Sequence, residues 1–399
     1  MIISEAFLFI GLLTGQIGRF QLTPDIAITL SDIGVLSFVS SRVLKNISVW
    51  KKIQLKKFFM IKPLALMIVI LIVSLLTNAR KFEPQQNFIG LAYLGRFVLY
   101  MMVYFVICLD KKSGLYWITW LYKLGSSFVL VGFIQIILYP DLRNLIYLGY
   151  DPHFRRMFST LFDPNFTGII FILTFIIGMY LLYKKEMRHC YTQIILLAGL
   201  VLTYSRSSFL AAVVATVYSI VVMRRWKLLI IVAELVALVF LVPSIGGIST
   251  SLTRSWSIYG RIENWKEAVQ LWGKSPIIGV GYDMLRSISR ATTISYDGYV
   301  SHSAGGTDNS YIYLAVTTGV VGIAAFTYFF RFLFLLAKKA KRRDFYLSLM
   351  YMASLIAIAV HSLFVNSMFY PLVLFWVWVM TSAVEKRIGT ISDSNPAFY

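Results

Sequence analysis

Long apolar stretches joined by short polar connectors set the pattern of this chain of 399 residues. A helix crosses a bilayer in roughly 17 to 25 residues. Stretches of that kind fall near 3–18, 22–43, 63–79, 88–109, 115–139, 165–183, 190–204, 207–223, 228–245, 310–336, 345–365 and 368–384. They predict an all-α, polytopic bundle of about twelve membrane-spanning helices, forming a single integral membrane domain over 1–399. One region departs from the pattern, the long loop 246–309. Within it, YGRIENWKEAVQLWGKSPIIGVGYDMLRS from Tyr259 to Ser287 reads as a short amphipathic helix. Gly260 stands as N-cap with Glu263 at the third helical position. Ile262, Trp265, Val269 and Trp272 recur at helical spacing and define its apolar face. Ser275-Pro276 ends it, and the two glycines of GVG, Gly279 and Gly281, supply a turn. The expectation is a helix lying over the bundle as a lid.

Composition agrees with the membrane reading: 58% of residues are hydrophobic and only 14% charged, against about a quarter charged in soluble domains. The net charge of +20 is therefore sorted by side before it is given a meaning, and a nucleic-acid partner is not implied. Short basic connectors begin at Lys45, Asp110, Lys184, Met223, Lys338 and Glu385, between alternate spans. The positive-inside rule makes all six cytoplasmic, which places both termini and the tail 385–399 inside a plasma membrane. The opening MIISEAFLFIGLLTGQ lacks a basic start and a small-residue cleavage site, so it reads as the first span. Cys108 and Cys190 fall near cytoplasmic span ends, where thiols stay reduced, and neither a disulfide nor a metal motif is expected.

The opposite side carries Arg19, Arg80, Lys81, Arg143, Arg155, Arg156, Arg206, Arg254, Arg261, Lys266, Lys274, Arg286 and Arg290, mostly arginine where the cytoplasmic connectors are mostly lysine. Lysine satisfies a topology rule as a point charge, whereas the planar guanidinium fork suits bidentate contact with phosphate. Arg261, placed in the first turn of its helix, opposes the macrodipole unless an anion sits there with it. Arg206 stands between Ser205 and Ser207 at a junction of two spans, where an ionisable side chain is costly without a partner or a task. Arg155 and Arg156 precede Asp163-Pro164-Asn165, a helix-starting sequence. Arg96 lies inside a span and calls for an intrabundle ion pair. Asp308 and Asn309 stand at the mouth of the tenth span, where Asp308 reads either as a helix cap or as a carboxylate aimed at a ligand. Gly319 and Gly322 are read as points of close helix approach.

LFDPNFTG, LTYSRSS, GRIENWKEAVQLWGKSPIIGVGYDML, TDNSYIYLAVTTGVVG and HSLFVNSMFYPLVLFWVW follow one another in this chain. In that order they resemble the bacterial O-antigen ligase and polysaccharide polymerase family. The resemblance implies a GT-C-like membrane glycosyltransferase using a glycan on a polyprenyl diphosphate such as undecaprenyl diphosphate, with no metal or other cofactor. Arg206 and Arg261 inherit contact with the diphosphate, and Arg155 and Arg156 are placed beside them. Trp265, Asn309 and Tyr311 belong to the substrate loop and its edge. Lipid-linked oligosaccharide and polysaccharide, membrane lipids, a flippase and a chain-length regulator are the implied partners. Where ligases of this family carry His-Asn, this chain has Asp308-Asn309, and the nearest histidine, His302, lies six residues earlier. Asp308, with His302 as the alternative, is the expected general base, and the aspartate resembles polymerases more than ligases. A ligase, or a transporter of lipid-linked sugars, remains the alternative; a transporter should show related halves or matching broken helices.

Overall fold

The computed structural model describes all residues except 1, 24–25, 46, 49–54, 185–189, 231, 234–235, 237–249, 251–255, 290–305 and 390–399. In chain order it contains α1 (Ile2–Thr14), a hairpin of β1 (Arg19–Gln21) and β2 (Ala27–Thr29), α2 (Leu30–Lys45), α3 (Ile61–Asn78), α4 (Pro84–Cys108), α5 (Gly114–Leu138), α6 (Pro164–Tyr183), α7 (Cys190–Leu202) and α8 (Arg206–Met223). These are followed by α9 (Trp256–Lys274), α10 (Leu285–Ser289), α11 (Ser310–Lys341), α12 (Phe345–His361) and α13 (Pro371–Ile388). A helix occupies every apolar stretch named above apart from 228–245, most of which lies outside the described residues. Among the described residues, six helices are long and apolar enough to cross a membrane: α3 with its 3-10 extension to Lys81, α4, α5, α6, α8 and α11. Helices α1, α7 and α12 are apolar but shorter. The segment 22–43 is not one span: its first residues pair in the hairpin, with Arg19 opposite Thr29, and α2 begins only at Leu30.

Alternation of direction gathers the helix ends into two sets. One end is held by paired charge, the acidic members and Arg42 buried: Arg42 pairs with Glu5 and Asp110, Lys112 with Glu5 at 2.6 Å, and Lys184 with Asp344 at 2.8 Å. Buried ions of this kind are tolerated because each is paired and hydrogen-bonded. Glu385 near the end of α13 accepts the Phe59 N–H there at 2.8 Å, and Lys386 donates to the Asp110 carbonyl. The start of α1 and the end of α13 thus share this end. Between the ends a single apolar core runs through α2, α4, α5, α6, α12 and α13, with Trp117, Trp376 and Trp378 fully buried in it.

Helix α11 is broken where its sequence reads as an unremarkable span. Gly319 has φ 66° and ψ −165°, so the ladder lapses around it. The segment after α9 fills the gap. Val280 and Gly281 donate their N–H groups to the carbonyls of Val316 and Thr317 at 2.8 and 3.2 Å, while Val320 and Val321 donate to Pro276 and Ile277 at 2.9 and 3.2 Å. Non-helical backbone at this depth is stable only when its polar groups are met by protein, and the SPIIGVG segment meets them. Nine residues of helix separate Ser310 from Gly319, so the segment descends about 14 Å beside α11 at 1.5 Å per residue. It is anchored in the bundle rather than laid over it. Gly319 therefore makes room for a loop, not for a neighbouring helix: a Cβ there would stand 2.1 Å from the Ile277 carbonyl oxygen.

Two further expectations change. Helix α9 is already formed at Trp256, so Gly260 lies inside it rather than capping it, and Arg261 is in its second turn. Its docked face is also rotated by one position. Ala268 is buried and Leu271 and Trp272 pack on the core, while Ile262 and Val269 are exposed. The inward stripe runs through Arg261, Asn264, Trp265, Ala268 and Trp272.

These contacts predict opposite outcomes for two glycines. Gly319→Ala meets both the backbone collision and a positive φ, and should lower stability by at least the roughly 1–3 kcal/mol of a strained residue. Gly260→Ala meets nothing within 4 Å and removes a helix-interior glycine, so it should be neutral or gain about 0.5–1 kcal/mol. Thermal melting of the detergent-solubilised protein compares them, and equal midpoints would contradict the docking.

Candidate functional site

The end of the bundle opposite the charged cluster brings together the starts of α6, α8 and α11, the middle of α9 and the end of α12. Arg206 is the first residue of α8. Ser205 caps that helix, its Oγ accepting the Ser208 N–H at 3.4 Å, after a sharp turn in which Tyr204 has φ 48°. Arg156 braces the turn. Its buried guanidinium donates to the Thr203 carbonyl at 2.9 Å and the Tyr204 carbonyl at 3.4 Å. Arg156 thus positions the Arg206 turn, with its guanidinium spent on carbonyls instead of being presented to a ligand. Its neighbour Arg155 is exposed, with φ 53° and its guanidinium 5.3 Å from the Phe154 ring.

Arg261 reaches across from α9 to Asp308, Nε to Oδ2 at 3.4 Å. One turn along α9, Asn264 donates to the Gly306 carbonyl at 3.0 Å and accepts the Asp308 N–H at 3.3 Å. The amphipathic helix and the segment leading into α11 are therefore tied at two points. Asp308 does not cap α11. Asn309 does, its side-chain oxygen accepting the N–H groups of Tyr311 and Ile312 at 2.9 and 3.1 Å while its amide donates to the Leu363 carbonyl at 2.9 Å. The Tyr311 hydroxyl donates to the Ala359 carbonyl at 2.9 Å, fastening α11 to α12. Asn309 and Tyr311 are thus framework, and the Asp308 carboxylate is left free of the helix. Trp265 is half-buried beside this pair, and its indole N–H is enclosed with no hydrogen-bond partner among the described residues.

Behind Arg206 lies a polar network that the sequence patterns did not mark. His361, fully buried at the end of α12, has Nε2 3.2 Å from both Ser207 Oγ and Ser208 Oγ, and Nδ1 2.6 Å from Ser367 Oγ. Ser205 Oγ donates to Asn165 Oδ1 at 2.8 Å. Asp163 caps α6, accepting from the N–H groups of Asn165 and Phe166 at 2.6 and 3.3 Å, the structural reading of Asp-Pro-Asn. The network joins α6, α8 and α12 beneath the arginine. Its signal was available: an ionisable His in an apolar stretch raises the same cost that singled out Arg206.

The electrostatics follow from this crowding. Arg206 and Arg261 are close enough for their charges to oppose each other, a cost that an anion between them would relieve. Surrounding protein pushes the Asp308 carboxyl above its ordinary value and the Arg261 guanidinium opposes that push. The side chain keeps 44% of its surface open, so water in the cleft moderates the rise. Asp163 is pushed up to about 6, by desolvation first and by the Asp151 charge second, with the N–H groups of its cap opposing. Asp308, Asp163 and the two arginines thus place acid, base and cationic groups at one end of the bundle. His302 lies outside the described residues. No three His, Cys, Asp or Glu side chains among the described residues converge as metal ligands would.

Residues 192–327 match the family model described as O-Antigen ligase. The matched stretch runs from within α7 into α11 and contains Arg206, Arg261, Asp308, Asn309 and Tyr311, while Arg156 and His361 fall outside it. No curated protein matches the chain. Over the matched stretch the chain is similar to the O-antigen ligase family, and six of its described helices are long and apolar enough to cross a membrane.

Proposed function

We propose that this chain, which carries an O-antigen ligase family segment over residues 192–327, is a polysaccharide polymerase of the plasma membrane. It joins polyprenyl-diphosphate-linked repeat units on the extracytoplasmic side, through about twelve spans in a GT-C-like bundle with both termini in the cytoplasm. The observation that carries the reading is the pairing of Arg261 with Asp308 at 3.4 Å and the closeness of Arg206 to Arg261, at the end of the bundle away from the lysine-rich connectors. The aspartate, where ligases of this family carry histidine, favours polymerase over ligase.

In this reading the donor diphosphate enters between the two guanidiniums. It competes with Asp308 for Arg261, so donor binding loosens the ion pair and frees the carboxylate. A hydroxyl of the acceptor unit attacks the anomeric carbon, and its proton passes to Asp308. The anomeric C–O bond breaks with its electron pair leaving on the diphosphate, whose growing charge the fixed guanidiniums stabilise. Attack opposite the leaving group inverts the configuration. No metal is required because the arginines carry the charge. Trp265 and the SPIIGVG anchor hold the walls of the cleft; a flippase delivers substrates and a chain-length regulator limits the product.

Mass analysis of lipid-linked glycans in a deletion strain tests the reading. A polymerase leaves single repeat units on the lipid when it is lost. Accumulation of long lipid-linked chains without transfer would instead identify a ligase.

A further inference from the structure

The HSLFVNS segment, residues 361–367, runs from the last residue of α12 into the connector before α13. It holds the starts of two other helices at once. On one side is α11, which begins just after Asp308. The Ser310 N–H donates to the Ser362 carbonyl at 2.9 Å, the Asn309 amide to the Leu363 carbonyl at 2.9 Å, and the Met368 N–H to Ser310 Oγ at 3.2 Å. On the other side is α8, whose first residue is Arg206. There His361 Nε2 meets the hydroxyls of Ser207 and Ser208, each at 3.2 Å. Helix α12 packs against both α8 and α11, so this segment is a shared footing for the arginine and the carboxylate. The direction of the hydrogen bonds follows from the protons available. Ser205 gives its hydroxyl proton to Asn165 Oδ1 at 2.8 Å, and Ser208 gives its own to Ser205 Oγ at 2.9 Å or to the Asn165 carbonyl at 3.3 Å. A hydroxyl has one proton, so Ser208 can only accept from His361. Nε2 therefore carries the ring proton, and Nδ1, 2.6 Å from Ser367 Oγ, accepts the Ser367 hydroxyl. All five side chains, His361, Ser205, Ser207, Ser208 and Ser367, are buried, where a misdirected proton would leave a polar group unmet. A rigid ring in one tautomer thus joins the connector to the start of α8.

We infer that His361 is a positioning residue for glycosyl transfer: through Ser207 and Ser208 it fixes where Arg206 stands relative to Asp308. The inference rests on the reading of those two residues as the leaving-group donor and the base. In that reading they act on opposite sides of one anomeric carbon, so the helix starts that carry them must keep one separation. A displacement of about 1 Å at a distance from the chemistry can cost about 10²-fold. Glutamine and asparagine separate this role from the filling of space. The Gln amide nitrogen reaches the place of Nε2 and keeps a donor toward the two serines, whereas the Asn amide reaches only the place of Nδ1. In the detergent-solubilised full chain, His361→Asn should speed hydrogen exchange of the backbone N–H groups of residues 207–210 by about 10-fold or more, a local opening of α8. It should also lower kcat for chain extension by about 10- to 100-fold. His361→Gln should stay close to wild type in both. On an Arg206→Ala background His361→Asn should cost no further kcat, because its effect passes through the arginine, whereas a general packing defect would add. If His361→Asn yields no folded protein, the Ser207→Ala/Ser208→Ala pair removes the same link from the α8 side and should show the same faster exchange. Exchange is read without turnover: a wild type that extends no chains would sink the polymerase reading, while the hold of His361 on α8 would still be decided. Unchanged exchange in the variant that lacks the link, an equal defect in His361→Gln, or a full additional loss on the Arg206→Ala background would overturn the inference.

Discussion

Arg206→Ala and Arg261→Ala are each expected to lower chain extension by about 10²–10³-fold, the range found when one preorganised donor to a developing oxyanion is removed. Protein abundance in the membrane should stay near normal. The Arg206 turn is braced by Arg156 and by the Ser205 cap, and Asn264 holds α9 to Gly306 and the Asp308 N–H independently of Arg261. Lysine at either position should rescue poorly, because a point charge reproduces the sign of the field but not the planar fork. Arg156→Ala supplies the contrast. Its loss strips two carbonyls of their buried donor, so its defect should appear as reduced protein or a lower melting midpoint together with reduced activity. If Arg206→Ala lost activity only in proportion to protein, Arg206 would be a structural residue too.

Asp308→Asn is expected to lower turnover by about 10²–10⁴-fold, as removal of a general base does, with donor still bound. The substitution isolates chemistry from folding because Asn309, not Asp308, caps α11. The pH profile gives a second readout. Asp308 is pushed above its ordinary value by its surroundings, and only its ionised form accepts a proton. The wild-type rate should therefore fall as pH is lowered through that raised value, and the acid limb should vanish from the residual activity of Asp308→Asn. His302→Ala run alongside assigns the base: a severe loss there with a wild-type-like Asp308→Asn would move the role to the loop histidine.

The fold was legible to the extent that hydropathy governs it. Apart from the start of 22–43, which pairs in the hairpin, the apolar stretches in the described residues became helices because a helix satisfies its backbone polar groups within the segment. Arg206 stood out for a related reason, the cost of placing a cation in an apolar setting, whereas Arg261 stood out as a cation at a helix start, a position the structure moves to the second turn. The face of α9 was misread because periodicity identifies two edges of an apolar stripe without saying which one docks. Asn264 and Arg261 settled that by bonding to Gly306 and Asp308, contacts between segments more than forty residues apart. His361 was missed because its partners, Ser207, Ser208 and Ser367, belong to other elements.

The amino-acid sequence by itself determined the apolar, helical character of the chain and where most of its described helices fall, the charge asymmetry between their connectors and the cations too costly to be idle. All of these are properties of a residue and its near neighbours. Tertiary structure alone decided which cations work together, that Asn309 takes the cap and releases Asp308, that Gly319 opens α11 to the SPIIGVG segment, and that His361 reaches the start of α8. Each of these depends on distances between segments remote in the chain, and hydrogen bonds and charges act over those distances rather than along the sequence.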